Sequence, residues 1–544
     1  VTGAPDLIII DGAIRTMDPV RPHAEALAIR AGRIVALGTS PDIRALAGPG
    51  TRAVSAGGRL VLPGFQDAHI HLMDGGVDLV TAAPLWDVRS VAGLQAALAA
   101  HAAANDLPLV MGTGWQPGTF TEGNLTRAVL DAVVPDRPVM IYDSSYHSAC
   151  LNSAACRMAG IVAGRADPPN GRIVRDGTGE PTGMLHEDAV TMAAAALPQV
   201  DDRVRAAGLR AAQRLANRHG ITGVLDARVT EDQRRIYAAA DRAGELTLRV
   251  AGTALVRPGD APMQTVERLS DWRAEGTDGF RVHSAKFFLD GVIESRTATM
   301  LAPYADALGG NAPLLFDPAE IAPLFTAVDA ARFQIHTHVI GDGAVRAALD
   351  GLQAARDANR PWPGLHQLAH LQVVDPADIP RIAALGAMAN IQPLWARYDP
   401  DIPDDWLDLV GPERAANVYP FRRILDAGAA WCLSSDWAVS TLNPFPIIET
   451  AVTREPGKGE TARPPFFPAE RLTVEEAVAG YTTGAAAACW RTGHTGMLRA
   501  GYSADLIVLD RDIFTCPVKD IADTQVLLTL FQGREVHRVG GFGG

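Results

Sequence analysis

Eight short apolar runs, each followed by an Ala/Leu/Arg-rich stretch with helical spacing, constrain this chain more than any other feature. They begin near Pro63-Gly-Phe-Gln-Asp, Gly223-Val-Leu-Asp, Leu248-Arg-Val-Ala-Gly, Val282-His-Ser-Ala-Lys-Phe-Phe, Phe333-Gln-Ile-His, His366-Gln-Leu-Ala-His, Ala387-Met-Ala-Asn-Ile and Trp431-Cys-Leu-Ser-Ser-Asp. Short apolar runs bounded by turn residues read as strands, and their alternation with helical segments calls for parallel strands joined by crossover helices. Eight such units predict an α/β fold, a TIM (β/α)8 barrel.

The remainder of the 544 residues is distributed around that barrel. The stretch after the first strand is too long for a connection and carries strand-like runs of its own, Leu109-Val-Met-Gly and Val139-Met-Ile-Tyr, so residues 76–199 read as an inserted subdomain beside the substrate site. The first sixty residues alternate apolar runs with turns and read as a small β meander. The last fifty repeat that style, in Ala504-Asp-Leu-Ile-Val-Leu-Asp for example. The two termini, 1–61 and 491–544, are expected to pair into one β-sandwich, leaving 62–75 and 200–490 to the barrel. Arg454 to Pro468 reads as an exposed Gly/Pro-containing loop.

Composition narrows the function classes. A formal charge of −13 without a basic patch argues against nucleic acid or an anionic membrane as partner, and no apolar run is long enough to span a bilayer. The five cysteines show no short metal spacing and no even framework, which fits a reducing cytoplasm. The expected partner is a small-molecule substrate, and a homodimer is compatible with the sequence. Basic residues are almost all arginine; the lysines are Lys286, Lys458 and Lys519.

His69 and His71 stand at i and i+2 of the first strand, so both imidazoles face the same side and can converge on one ion. Alone the pair is a weak motif. Ligand-type residues recur at the ends of later strands, however: Lys286, His338, His370 and Asp436, and the C-terminal ends of barrel strands are where active sites form. Imidazole and carboxylate suit Zn²⁺, with other divalent transition metals as alternatives. Lys286 binds an ion only once it has lost its charge; otherwise it snorkels from a strand end or pairs with Asp290. Of the two histidines on the fifth strand, His336 reads as packed in the barrel or as a supporting donor. On the sixth strand His370 lies nearer the C-terminal end than His366. Asp436 ends an apolar run, which would carry its carboxylate to the barrel mouth, the alternative being a solvated loop aspartate.

The chain resembles the amidohydrolase superfamily over nearly its whole length, and within it the third amidohydrolase group, which includes N-substituted formamide deformylases. The resemblance rests on Leu62-Pro-Gly-Phe-Gln-Asp-Ala-His-Ile-His-Leu, on Lys286 with Phe-Phe-Leu-Asp-Gly after it, on His338-Val-Ile-Gly-Asp, on His370 and on Ser435-Asp436. It implies one or two metal ions held by His69, His71, Lys286, His338, His370 and Asp436, with Lys286 N-carboxylated and bridging two zinc ions. His338 rather than His336 leads the family's Val-Ile-Gly-Asp pattern. His147 matches a recurrent histidine of the group, and the resemblance implies substrate binding or stabilisation of an oxyanion there. Asp290, Glu294 and Arg296 match another group motif, with Arg296 expected at the substrate and at least one of the three expected to organise a loop.

Trp115 and Trp395, beside glycine or proline turns, are expected to line the pocket. Some relatives carry a histidine after Gln-Pro on the seventh strand, where this chain reads Gln392-Pro-Leu-Trp395; an apolar wall is expected there. The activity implied is metal-dependent hydrolysis of a C–N amide bond, that of an N-substituted formamide or N-acyl amine, with Asp436 taking a proton from the metal-activated water and passing it to the leaving nitrogen. The alternatives are a cyclic amide, urea or carbamate hydrolase, a deaminase, or a non-catalytic binding protein on the same scaffold.

Overall fold

The computed structural model describes residues 3–306, 308–398 and 406–543. Its centre is one eight-stranded parallel sheet, with strands β1 (Phe65–Ile70), β2 (Ile221–Val229), β3 (Arg249–Leu255), β4 (Phe280–Phe288), β5 (Gln334–Val339), β6 (Gln367–His370), β7 (Met388–Ile391) and β8 (Ala430–Leu433) in sequence order around the sheet. All eight expected strands occur, and the sheet curls into a nearly closed TIM barrel. Most strand residues are buried on both faces, as crossover helices outside and side chains inside demand.

No regular ladder joins β1 to β8. Individual hydrogen bonds carry the closure instead. The Asp67 carboxylate accepts from the Ser435 amide at 3.1 and 3.2 Å, Asp436 N donates to His69 O at 2.9 Å, and His71 N donates to Trp437 O at 2.6 Å. Within the barrel, amide side chains satisfy one another: Gln367 Nε2 donates to Gln334 Oε1 at 2.8 Å and Asn390 Nδ2 to Gln367 Oε1 at 2.6 Å. A second proton of Asn390 Nδ2 reaches Ala68 O at 2.9 Å and ties β7 across to β1. Buried polar groups need such partners, since each one left unmade costs about 1–3 kcal/mol.

The helix after β1, Leu72–Thr81, crosses the helix before β2, Asp202–Arg218, with almost no space between the backbones. Asp202–Arg218 forms because Asp201 caps it through Val204 N and because Leu209, Ala212 and Ala216 recur on one face. Glycine marks the crossing on both sides. A methyl group on Gly76 would lie 2.5 Å from the Gly208 carbonyl oxygen, and one on Gly208 would lie 2.7 Å from the Val77 nitrogen. The contact fixes the direction in which the chain leaves β1, and with it the position of His71.

Residues from both ends of the chain build two further sheets. One has the order Arg33–Gly38, Ala26–Arg30, Leu7–Ile10, Arg52–Ser55; the other runs Arg534–Arg538, Val526–Phe531, Leu506–Leu509, Leu60–Pro63, Ala13–Arg15, His23–Ala24. They share a core that includes Leu7, Ile9, Leu27, Ile29, Val61, Leu506, Val508 and Leu528. The first sixty residues are therefore not the meander expected. Leu7–Ile10 pairs in parallel with Arg52–Ser55, and Leu60–Pro63 pairs with Leu506–Leu509, which gives that wholly apolar strand a buried partner. Leu60–Pro63 runs directly into β1 through Gly64, where a Cβ would lie 2.4 Å from Thr222 Oγ1.

Between the first two barrel strands lies a six-stranded sheet in the order Gly171–Arg175, Pro181–Glu187, Ser148–Leu151, Val139–Asp143, Val110–Trp115, Ala82–Pro84. It includes both runs anticipated there and is covered on its two faces by separate apolar clusters. The segment 454–468 is a loop, as expected, but is anchored at its ends. Arg454 is fully buried against Phe421 and Phe466 and donates to the Phe466 carbonyl at 2.9 Å, so only the middle is exposed. Among the described residues no helix is long and apolar enough to cross a membrane.

Gly208→Ala is expected to destabilise the protein by about 1–3 kcal/mol through overpacking of the helix crossing. Thermal denaturation compared with an exposed control such as Gly244→Ala, corrected for that position's own positive φ, checks it; an unchanged midpoint would show that the crossing has slack.

Candidate metal centre

Strand parity aligns Asp67 and His69, His71 follows one residue past the end of β1 at the entry to the next helix, and the end of β8 delivers Asp436 opposite the two histidines at the mouth of the barrel. His69 Nε2 lies 3.5 Å and His71 Nε2 3.3 Å from Asp436 Oδ1, and one ligand atom from each of the three residues falls within 4.8 Å of the others. Asp436 Oδ1 is buried, yet no proton is aimed at it in hydrogen-bonding geometry. Asp436 has φ 54° and His370 φ 82°, followed by Leu371 at 50°. The left-handed region costs a non-glycine residue about 1–2 kcal/mol, so the fold holds these side chains in place against local strain.

The other expected ligands surround this cluster. Lys286 Nζ, completely buried at the end of β4, is 3.4 Å from His69 Nε2 and 4.6 Å from the centre of the Phe288 ring. Among the described residues no carboxylate forms an ion pair with it. Asp290, considered above as its partner, faces His338 instead, with its Oδ1 3.3 Å from His338 Nδ1. Asp290 also accepts from the amides of Thr299, Ile340 and Gly341, which makes it the organiser of the loop after β4. The His338 and His370 rings are 4.5 Å apart, and His370 is 5.1 Å from His69. His370 Nδ1 donates to Gln392 Oε1 at 2.9 Å, which leaves His370 Nε2 buried without a partner. Gln392 is itself oriented by donation to Ser434 Oγ at 2.7 Å.

His336 is a supporting residue rather than one merely packed: its Nε2 lies 2.8 Å from His69 Nδ1, so that His69 keeps Nε2 for the cluster. His366 sits at the opposite end of its strand, bonded to Asp329 and to the Ile335 amide.

Burial dominates the electrostatics. It pushes His69, His336 and His370 well below the usual imidazole value and also lowers His338, which leaves neutral rings with lone pairs suited to a cation. It lowers the Lys286 ammonium to about 7. Burial raises the Asp436 carboxyl, but His71, and then His370 and Lys286, pull it down to about 2, so it is ionised. Beneath it, Asp67 is pushed up to about 7 by burial, against hydrogen bonds from Ser435 and His69. Neutral imidazoles, an ionised carboxylate with an orphaned oxygen, an orphaned imidazole nitrogen and an unpaired buried lysine together fit a divalent cation bound by nitrogen and oxygen.

The expected substrate-facing residues divide. Trp395 stands beside the cluster, its ring 5.7 Å from that of His370 and inclined by 33°. His147 Nδ1 is 2.8 Å from Glu187 Oε2, on a side chain 24% exposed. Trp115 departs from expectation: its indole is enclosed in the insert's core, edge-on to Phe120, because the side chain at the end of that strand turns inward. Arg296 departs as well. It pairs with Asp306, donates to the Gly309 carbonyl and stacks on Tyr304, so its charge is spent inside its own loop. Sequence reasoning passed over Asp67, Glu187 and the role of Gln392. Asp67 and Gln392 lay inside motifs already quoted, whereas Glu187 had no sequence signal at all.

A family model described as "Amidohydrolase family" matches residues 52–537. The N-substituted formamide deformylase of Arthrobacter pascens is 30% identical over 97% of each chain. Protein LONG AFTER FAR-RED 3 of Arabidopsis thaliana is 29% identical, over 98% of this chain and 91% of its own. Among solved structures, an uncharacterized metal-dependent hydrolase from Pyrococcus horikoshii OT3 superimposes with a TM-score of 0.77 at 23% identity, covering 94% of this chain and 99% of that one. At that identity the likeness is one of fold.

Asp290→Asn leaves three backbone amides facing a group that can no longer accept from all of them and weakens the hold on His338. It is expected to lower metal affinity roughly 10–100-fold. Metal retention during dialysis against a graded chelator measures this, and retention equal to wild type would remove Asp290 from the support of the site.

Proposed function

The chain belongs to the amidohydrolase family, and from that premise we propose that it hydrolyses the C–N bond of a neutral N-substituted amide, a formamide or short N-acyl amine. The observation that carries this reading is the convergence of His69, His71 and the orphaned Asp436 oxygen at the barrel mouth. The Arthrobacter relative, named for deformylation of N-substituted formamides, supports the substrate class. Trp395 beside His370 supports an apolar substituent on nitrogen, because an aromatic face gains from excluding water there.

His69, His71 and Asp436 would hold a divalent ion, with Zn²⁺ preferred by a ligand set of imidazole and carboxylate. When bound, the ion supplies Lewis acidity, which polarises the substrate carbonyl and makes an attacking water more acidic. Asp436 accepts the proton of that water and delivers it to the amide nitrogen. The C–O bond forms, the C–N bond breaks, and a carboxylate and an amine leave. Delivery of the proton matters most, since an amide nitrogen is a poor leaving group until protonated.

Lys286 carries the finer part of the proposal. Burial outweighs the attraction of the Asp436 carboxylate and lowers the Lys286 ammonium to about 7, and its neutral amine can add carbon dioxide, with loss of a proton, to become a carbamate. That carbamate, with His338 and His370, would provide ligands for a second ion.

His69→Ala and His71→Ala are expected to lose bound metal together with activity. Asp436→Asn is expected to retain most of the metal while turnover falls by about 10²–10⁴-fold. A panel of N-alkyl and N-aryl formamides, acetamides, ureas and lactams, scored for carboxylate, amine and ammonia, tests the substrate class. Near-wild-type turnover by Asp436→Asn would sink the proton-transfer role, and ammonia as the first product would move the reading to deamination.

For Lys286, reconstitution of the metal-free enzyme is expected to require bicarbonate, and the intact protein should gain the mass of one carbon dioxide. Full reconstitution with bicarbonate rigorously removed would leave the lysine unmodified.

A further inference from the structure

Glu187 joins three distant pieces of chain at the edge of the insert. It ends the strand Pro181–Glu187, and its carboxylate accepts from Ser295 Oγ at 2.9 Å and Thr297 Oγ1 at 2.8 Å while facing His147 Nδ1 at 2.8 Å. Its backbone N–H adds a further tie, to the His147 carbonyl at 2.8 Å. Ser295 and Thr297 belong to the loop after β4, the same loop in which Asp290 faces His338. One loop therefore grips a histidine of the metal cluster with one carboxylate and, through its hydroxyls and a second carboxylate, a histidine of the insert.

Backbone strain gathers at this junction. Glu187 has φ 53°, Tyr146 before His147 has φ 63°, and Arg296 between the two hydroxyl residues has φ 60°. Non-glycine residues in this region persist only where the surroundings over-determine them, and such positions gather at functional sites. The strain serves to bring Glu187, His147 and the hydroxyls together. With Nδ1 committed to Glu187, the nitrogen left for a ligand on the partly exposed His147 ring is Nε2.

Resting on the amide-hydrolase reading, we propose that Glu187 is a positioning residue that keeps His147 as an imidazolium whose Nε2–H donates to the substrate carbonyl oxygen, stabilising the charge that develops there. The insert thereby supplies a fixed donor to a reaction whose other groups come from the barrel. The charges facing His147 agree. Burial lowers its pKa, but Glu187, by charge and hydrogen bond, and then Asp143 and Glu294, raise it to about 9. The cation is complete at neutral pH and is lost as pH rises through about 9. His338 is lowered by burial, against Asp290, with the charges of Lys286 and then His147 lowering it further.

The test compares wild type, Glu187→Gln, Glu187→Asp, His147→Gln and the Glu187→Gln/His147→Gln double variant, all metal-loaded. Histidine-selective NMR, with the His147 signal identified by its loss in His147→Gln, is expected to show an imidazolium up to about pH 9 in wild type. In Glu187→Gln the transition should fall by at least about one pH unit, with partial recovery in Glu187→Asp. For a formamide substrate, the alkaline limb of kcat/KM should move down by the same interval, so that at equal metal content a one-unit fall lowers kcat/KM at pH 8 about twofold and a two-unit fall about tenfold. The double variant should cost no more than His147→Gln alone. A His147 titration unmoved by Glu187→Gln overturns the proposal, and so does a moved titration with an unmoved pH–rate profile. Wild type inert on every amide defeats the amide reading and the carbonyl-donor role with it, while the NMR titration separately decides whether Glu187 holds the imidazolium.

Discussion

The seam between β1 and β8 is the constraint on which the rest of the site depends. β8 has only four residues and makes no ladder with β1, so the barrel closes there through the buried Asp67 carboxylate and the Ser435 amide, with two backbone bonds at the rim. These bonds set the separation between His69 and His71 on one side and Asp436 on the other. The buried carboxylate at the base of the site is therefore a structural part of the candidate metal centre, although it is not among the expected ligands.

The site divides its work by element. Barrel strands, buried on both faces, hold the ligand-type side chains in a medium where charge is expensive, which lowers His69, His338, His370 and the lysine. The insert contributes His147, which moves the opposite way because Glu187 faces it directly. The two sets of histidines thus differ in charge: burial lowers His69, His338 and His370 of the barrel, whereas Glu187 raises His147 of the insert. The loop after β4 connects them, through Asp290 on one side and Ser295 and Thr297 on the other.

Much of this was legible beforehand. Alternating apolar runs and helical segments located all eight barrel strands, and the i, i+2 rule put His69 and His71 on one face before any contact was known. Position along each strand separated His370 from His366. The misreadings share one cause, since they concern partners rather than positions. Trp115 was located correctly at a strand end, but its contact with Phe120 follows from how the insert packs. Arg296 lies in the motif that marked it, yet Asp306 and the Gly309 carbonyl use its hydrogen-bonding capacity. His336 was placed on the right face, and only its 2.8 Å approach to His69 distinguishes support from packing.

Strand parity and distance from the strand end are properties of a residue and its near neighbours, so the sequence was enough to bring His69, Lys286, His338, His370 and Asp436 to one end of the barrel. Tertiary structure alone decided what each side chain does there. Asp67 meets Ser435 across 368 residues, Lys286 meets His69 across 217, and His147 meets Glu187 across 40. Hydrogen bonds and desolvation depend on the distance between groups in space, and the local pattern of a chain carries no record of which distant residue will fill that space.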